Sequence, residues 1–536
     1  MYANCTEDVK GDMKMAEEIR MKLECKYTLS GELKDAGKTL SKLVDKANEE
    51  VLLKGVPPTR FKSAARITEW KVKGSTLKIK VISGPLVGAT SAVIRFRKLL
   101  AEELGRKFKI GVRGIEIGDF KIEIPQRGPS SRALERIREL NYVEDVKAKR
   151  GGLTVTFKPM AEAELKRSIP ERALGMVKTI LTEREEDAPV AEHVQVVRQG
   201  RVKEHSFIED PARVGVELGW FKEFPGRGQW IYTTPYAKLV EVIESLIVEE
   251  VIRKLDFQPF MLPKLIPLEV MRHMPGYLED IPEGMYYVCP PPRDPAAFTK
   301  FKEAVRVTKQ IPRKQLKDVL KEPDYVLAPA QCEPFWYFFS HETVRWEDLP
   351  LKLYDRSGWT YRWEGGGVEG IVRVQEFRRV ELGYVGTPEQ ILEIRDAVRD
   401  NALRVIDDLL GLEWRVVAAA PFYMKGGQIG DVSKSENVAA YDIEIYMPYR
   451  GDRDKAEWLE ITACFIHKDK FVKSFSIHEA RNRHIWTGCT GFGVSRWVAA
   501  FLATHGFDPA VWPSAVRKQF GTYKLPKTLL WPKKTL

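Results

Sequence analysis

The sequence predicts an α+β protein of more than one domain, and three observations lead there. At 536 residues the chain exceeds what one ordinary hydrophobic core organises. Short runs of alternating polar and apolar residues are interspersed with stretches of helical periodicity. The charge is unevenly placed: residues 1–170 hold 35 Lys+Arg against 23 Asp+Glu, whereas residues 171–536 hold 51 against 52. The excess positive charge is confined to the first third, which suggests that this part docks onto a polyanion.

Taken in order, residues 12–25 and 31–54 read as helices, the second with Leu40, Leu43, Val44, Val51 and Leu52 at helical spacing. Ser75–Ile82 alternates as a strand does. Ser91–Lys107 reads as a helix, Phe108–Val112, Phe120–Ile124 and Leu153–Phe157 as strands. Ser130 and Ser131 cap a helix running to Leu140. Met160–Glu186 is helical and ends in an acidic run. These elements give a basic antiparallel α+β domain over residues 1–186. Residues 187–230, interrupted by Pro211, Pro225 and Gly226, read as a connector. From residue 231 aromatic residues become frequent, and 231–536 forms the second domain, opening on an apolar helix at Lys238–Leu255 and a short strand.

Composition bounds the function. With 44% hydrophobic and 30% charged residues and no low-complexity tract, the chain reads as globular. It contains no run of about 18 apolar residues suited to a membrane, and its polar, charged opening carries no secretory pattern, so the expected location is cytoplasmic, without membrane partners. The six cysteines are scattered and form no C-x-x-C pair, which argues against a disulfide framework and a local zinc knuckle. A metal site assembled from distant positions stays open.

The chemistry-bearing residues lie between Cys332 and Arg496. Tyr361-Arg362-Trp363-Glu364 is followed by three glycines and then by Arg373-Val-Gln-Glu-Phe377 and Glu381, as in two arms of a hairpin. Further on, Gly491-Phe-Gly493-Val-Ser-Arg496 runs into an apolar helix. Guanidinium groups make forked contacts to phosphate oxygens, and a helix N-terminus favours anions. Two arginines, an aromatic and a glycine-rich approach to a third arginine suit the binding of ATP.

These segments resemble motifs 2 and 3 of the class II aminoacyl-tRNA synthetases, and the helix and strand from Lys238 to Leu265 resemble motif 1, the dimer-forming element. Val372–Glu381, Tyr441–Pro448 and Trp458–Cys464 are similar to segments of seryl-tRNA synthetases. Ala330-Gln331-Cys332 and Cys489 depart from the common seryl enzymes, as does the lack of a long helical arm in the first third. In these departures the chain resembles the methanogen-type (archaeal, zinc-dependent) seryl-tRNA synthetases.

The resemblance implies a class II catalytic domain, an antiparallel sheet flanked by helices, preceded by a basic tRNA-binding domain. It also implies a homodimer that uses ATP, L-serine and tRNA(Ser) through a seryl-adenylate. By the same resemblance Arg362 grips the α-phosphate, Glu364 lies near adenine or the substrate amine, Phe377 stacks on adenine and Arg373 reaches the outer phosphates. Glu460 holds Mg2+ on ATP, Arg496 caps the γ-phosphate, and Cys332, Glu381 and Cys489 ligate one Zn2+ that receives the serine amino group. Zinc accepts thiolate and carboxylate, and three protein ligands leave a position for substrate. Cys464 is the rival ligand. The glycine-punctuated segment 421–436 is expected to act as a lid over serine. Two other readings are a related ligase that loads an amino acid onto a carrier protein and a non-catalytic RNA-binding paralogue.

Overall fold

The computed structural model describes residues 19–33, 37–84, 88–125, 129–149, 152–182, 195–365, 367–419, 432 and 434–534. They divide into two compact units, Met1–Ala191 and Glu192–Leu536.

In the first unit six strands follow the order Arg66–Lys73, Thr76–Ser83, Arg20–Leu29, Val112–Ile124, Gly152–Phe157 and Val143–Lys149. The central strand is Arg20–Leu29, paired antiparallel on both sides. Its side chains alternate, with Met21, Leu23, Cys25, Tyr27 and Leu29 buried. This corrects the expected helix over 12–25 in its described part: the period is two, and the charged residues between the apolar ones form the strand's other face. The helices Gly37–Lys46 and Ala89–Phe108 contribute to the same core through Leu40, Leu43, Val93, Phe96 and Leu100. The helix after Ser130 starts as expected, with the Ser130 hydroxyl accepting from Ala133 N at 3.2 Å. Instead of two strands over 108–124 there is one, because Lys109 at φ 58° ends the preceding helix in a left-handed turn. The expected helix over 160–186 is, in its described part, split at Ser168, also at positive φ, into Glu162–Lys166 and Ile169–Thr182, and residues 183–186 lie outside the described residues.

The second unit is built on an eight-stranded sheet in the order Gln258–Phe260, Leu351–Asp355, Val380–Gly386, Trp486–Phe492, Leu459–Lys468, Ala440–Ile445, Trp414–Ala419 and Gln195–Gln199. All pairs are antiparallel except the first. The helices Thr234–Ile247, Pro388–Arg404 and Val494–His505 supply apolar side chains to its core, and Trp497, Val498 and Phe501 are fully buried. Residues 195–230 are more than a connector. Gln195–Gln199 is an edge strand of this sheet, Pro211–Glu217 is helical, and Trp220 and Phe221 are fully buried in its core. Glycines and prolines there punctuate short elements, which sequence periodicity does not resolve.

Candidate active site

Several separate segments converge on one cavity of about 220 Å³, lined among others by Cys332, Arg362, Arg379, Glu381, Glu460, His467 and Cys489. Cys332 caps the helix Glu333–Phe338, which begins with Pro334 in its first turn. The turn carrying it is pinned on both sides. Gln331, fully buried and in the left-handed region at φ 75°, donates to the Asp355 carbonyl and carboxylate at 3.2 Å and accepts from Thr360 Oγ1 at 3.2 Å. Glu333 Oε1 accepts from Ala330 N at 2.9 Å. A buried non-glycine residue at positive φ persists where its surroundings over-determine it.

Glu381 and Cys489 come from adjacent antiparallel strands. The register pairs Glu381 with Gly491 and Gly383 with Cys489, so both ligand candidates stand on one face of the sheet. A carboxylate oxygen of Glu381 and the sulfurs of Cys332 and Cys489 all lie within 4.8 Å of one another, and all three residues are buried. Cys464 pairs with Thr490, one position on from the Phe465–Cys489 pair, and therefore points to the opposite face. It belongs to a different apolar cluster from Cys332 and Cys489.

The electrostatics suit a cation. Burial raises the Glu381 carboxyl to about 7, against the pull of Arg379. Burial also pushes the Cys489 thiol well up, with help from Cys332 and Glu381. For Cys332 the hydrogen bond with Cys489 pulls the thiol down, but burial and the carboxylates Glu333 and Glu381 outweigh it, and the net shift is upward. Three acidic groups thus crowd each other in a dry place, and a divalent ion reverses that balance by favouring their anionic forms. Glu381 Oε1 is buried with no hydrogen-bond partner among the described residues. Two thiols and an orphaned carboxylate oxygen fit a zinc site with an open fourth position.

The residues expected to handle ATP are distributed around this centre. Arg362 and Glu460 line the same cavity. Arg496, in the first turn of Val494–His505, donates through Nη1 to Glu460 O at 3.0 Å and to Oε2 at 3.3 Å. The hairpin forms from Trp359–Tyr361 and Glu376–Arg378, with Phe377 buried opposite Thr360. The Glu364 amide donates to Gln375 Oε1 at 3.1 Å, and Arg373 is paired with Glu457 at 3.1 Å. Glu364, Arg373 and Phe377 are not among the cavity's lining residues. Segment 421–436, the expected lid, lies outside the described residues except for Val432 and residues 434–436.

Arg379 and His467 are among the lining residues to which the sequence assigns no role. Arg379 donates from Nε to Glu381 Oε2 at 2.7 Å. Its spacing of two from Glu381, just before the strand Val380–Gly386, is the signal the sequence offers. His467 Nε2 lies 3.3 Å from Cys489 Sγ, and its Nδ1 lies 3.2 Å from Thr487 Oγ1. Burial lowers the imidazole to about 3, so it is neutral at ordinary pH. It sits where the ladder is irregular between Ile466 and Lys468, so its place beside Cys489 is not readable from the sequence.

Residues 316–505 match the family model of the tRNA synthetase class II core domain (G, H, P, S and T), and residues 19–179 match that of a tRNA-binding domain. Fold and site together define a class II aminoacyl-tRNA synthetase core joined to a tRNA-binding domain. The chain is 41% identical over 526 residues to the type-2 serine–tRNA ligase of Methanocaldococcus jannaschii, covering 96% of this chain and 99% of the relative. It is 38% identical over 521 residues to that of Methanothermobacter thermautotrophicus, covering 96% and 100%. A solved complex of M. kandleri SerRS with A. aeolicus tRNASec superposes with a TM-score of 0.81 at 38% identity, covering 96% of this chain and 100% of that one. The chain belongs to the type-2 serine–tRNA ligase family, as its resemblance to the methanogen-type enzymes implied. Among the described residues no helix is long and apolar enough to cross a membrane.

Proposed function

We propose that this chain charges tRNA(Ser) through a seryl-adenylate, with serine selected at a zinc centre made by Cys332, Glu381 and Cys489. The observation that carries this reading is the shared cavity: the three ligand candidates line it together with Arg362 and Glu460. Bound there, zinc would supply a Lewis-acid position for the serine amino group, which threads the amino acid into one orientation.

Arg362, on the same wall, holds the serine carboxylate against the α-phosphate of ATP. A carboxylate oxygen attacks that phosphorus, the bond to the bridging oxygen of the β-phosphate breaks, and pyrophosphate leaves. Arg362 stabilises charge that develops on the α-phosphate, and holding both reactants in line lowers the entropic part of the barrier. Glu460 would hold Mg2+ bound to the nucleotide, and Arg496, already bonded to Glu460, would meet the far end of the triphosphate at the helix N-terminus. Glu364, Arg373 and Phe377 hold the remainder of the nucleotide. In the second step a hydroxyl of the terminal ribose of tRNA attacks the seryl carbonyl, and AMP leaves. The N-terminal domain, read as residues 1–186, holds the tRNA, and the working enzyme is a cytoplasmic homodimer.

Amino-acid-dependent ATP–pyrophosphate exchange combined with metal analysis tests this reading. Serine should support exchange, and the protein should carry about one zinc per chain, lost in Cys332→Ser. Exchange supported by threonine instead of serine, or metal content unaltered by that substitution, would refute it.

A further inference from the structure

We propose that Arg379 is a positioning residue of the metal centre, fixing Glu381 and offsetting the charge of its ligand set. The inference rests on the zinc reading above and deepens it. Two thiolates and a carboxylate carry three negative charges, one more than a zinc ion neutralises. In a buried site such an excess is costly unless a partner is built in. Arg379 is placed to be that partner: its side chain is 16% exposed, Glu381 is fully buried, and Nε meets Oε2 at 2.7 Å. The bond engages one carboxylate oxygen and leaves Oε1 for a metal.

The fold makes room for this arginine at one position. A Cβ at Gly491, which pairs directly with Glu381, would lie 1.9 Å from Arg379 Nη2 and 2.4 Å from Cζ. The first glycine of the Gly-x-Gly-x-x-Arg segment therefore serves as a bed for a guanidinium, and any side chain there forces the guanidinium to shift. At the other ligand the His467 ring faces Cys489, with Nε2 3.3 Å from Sγ. The compensating charge on the Glu381 side thus comes from Arg379, which is held by both its partner and the bare backbone beside it.

Zinc retention under a competing chelator, read with a colorimetric metal indicator, tests this on the full-length enzyme, with folding checked by circular dichroism. Arg379→Gln, which keeps a donor and loses the charge, should bind zinc about 10- to 100-fold more weakly, the range for loss of an outer partner. Arg379→Lys should fall between wild type and Arg379→Gln. Gly491→Ala, which leaves the arginine in the chain but displaces it, should weaken zinc to a similar degree, and the double variant should be no weaker than Arg379→Gln alone. Wild-type zinc affinity in both Arg379→Gln and Gly491→Ala would overturn the proposal while leaving the zinc reading intact. A wild-type protein that holds no zinc would instead overturn the zinc reading itself, and this proposal with it.

Discussion

Glu381 and Cys489 stand diagonally on neighbouring strands, and each faces a glycine across the ladder: Gly491 opposite Glu381, Gly383 opposite Cys489. On their other sides Glu381 pairs with Asp355 and Cys489 with Phe465, so each ligand candidate has bare backbone on one flank only. At Gly383 a Cβ would lie 3.0 Å from the Phe335 ring, on the helix that Cys332 caps. The small residues therefore let the third ligand's helix come close to the sheet.

Because Cys464 points to the other face of the sheet, the two candidate cysteines should behave differently. Cys489→Ser is expected to abolish zinc retention after dialysis, and Cys464→Ala to leave it at the wild-type level. Elemental analysis of both purified variants checks this, and equal metal loss in the two would contradict the register argument.

Arg362→Ala should reduce serine-dependent pyrophosphate exchange by roughly 100- to 1000-fold, comparable to losing one preorganised donor at a developing charge. Zinc content should stay unchanged, since among the described residues no hydrogen bond or ion pair joins Arg362 to any of the three ligand candidates. Initial-rate exchange measured beside metal content separates the two effects.

Gly488→Ala probes packing behind the site. Its Cβ would fall 2.2 Å from the Tyr384 ring and 2.8 Å from the Phe465 carbonyl oxygen. Tyr384 is fully buried, with its hydroxyl 3.2 Å from the carbonyl oxygens of Phe465 and Cys489. The ring has no free volume to enter, so a loss of about 1–3 kcal/mol is expected, as for other overpacked cores. Denaturant unfolding of the variant measures it.

The Cys464 thiol, raised to about 12 by burial from a reference value of 9.0, gives a pH signature. The unfolded chain releases this proton earlier than the native one, so stability falls as pH rises from about 9 towards 12 and is unaffected by this group below that window. Cys464→Ala should flatten the alkaline limb of the stability curve. Urea midpoints measured at several pH values would reveal an unchanged slope if the assignment is wrong.

Sequence legibility followed the local character of each signal. The helix from Ala89 to Phe108 and the Ser130 cap were readable because apolar spacing and a capping hydroxyl act within a few residues. Arg362, Glu460, Cys332, Glu381 and Cys489 were readable through their motifs, and all five line one cavity. Arg20–Leu29 was misread because a strand with one charged face has the same composition as an amphipathic helix, and only the period separates them. Residues 195–230 were misread because their elements are short and acquire stability from the sheet they join. Arg379 and His467 were not singled out for two different reasons: Arg379 acts on a carboxylate two residues away, a pairing that charged neighbours commonly offer, whereas His467 meets Cys489 only through the fold.

The pinned turn at Gln331–Glu333 lies far along the chain from the strand that holds Cys489. An ion gripping all three ligands would act as a staple across that long loop, restricting the unfolded chain much as a covalent bridge does. If zinc binds there as proposed, stripping it should loosen the whole catalytic unit as well as silence it, and amino-acid choice and structural endurance would share a single fastening.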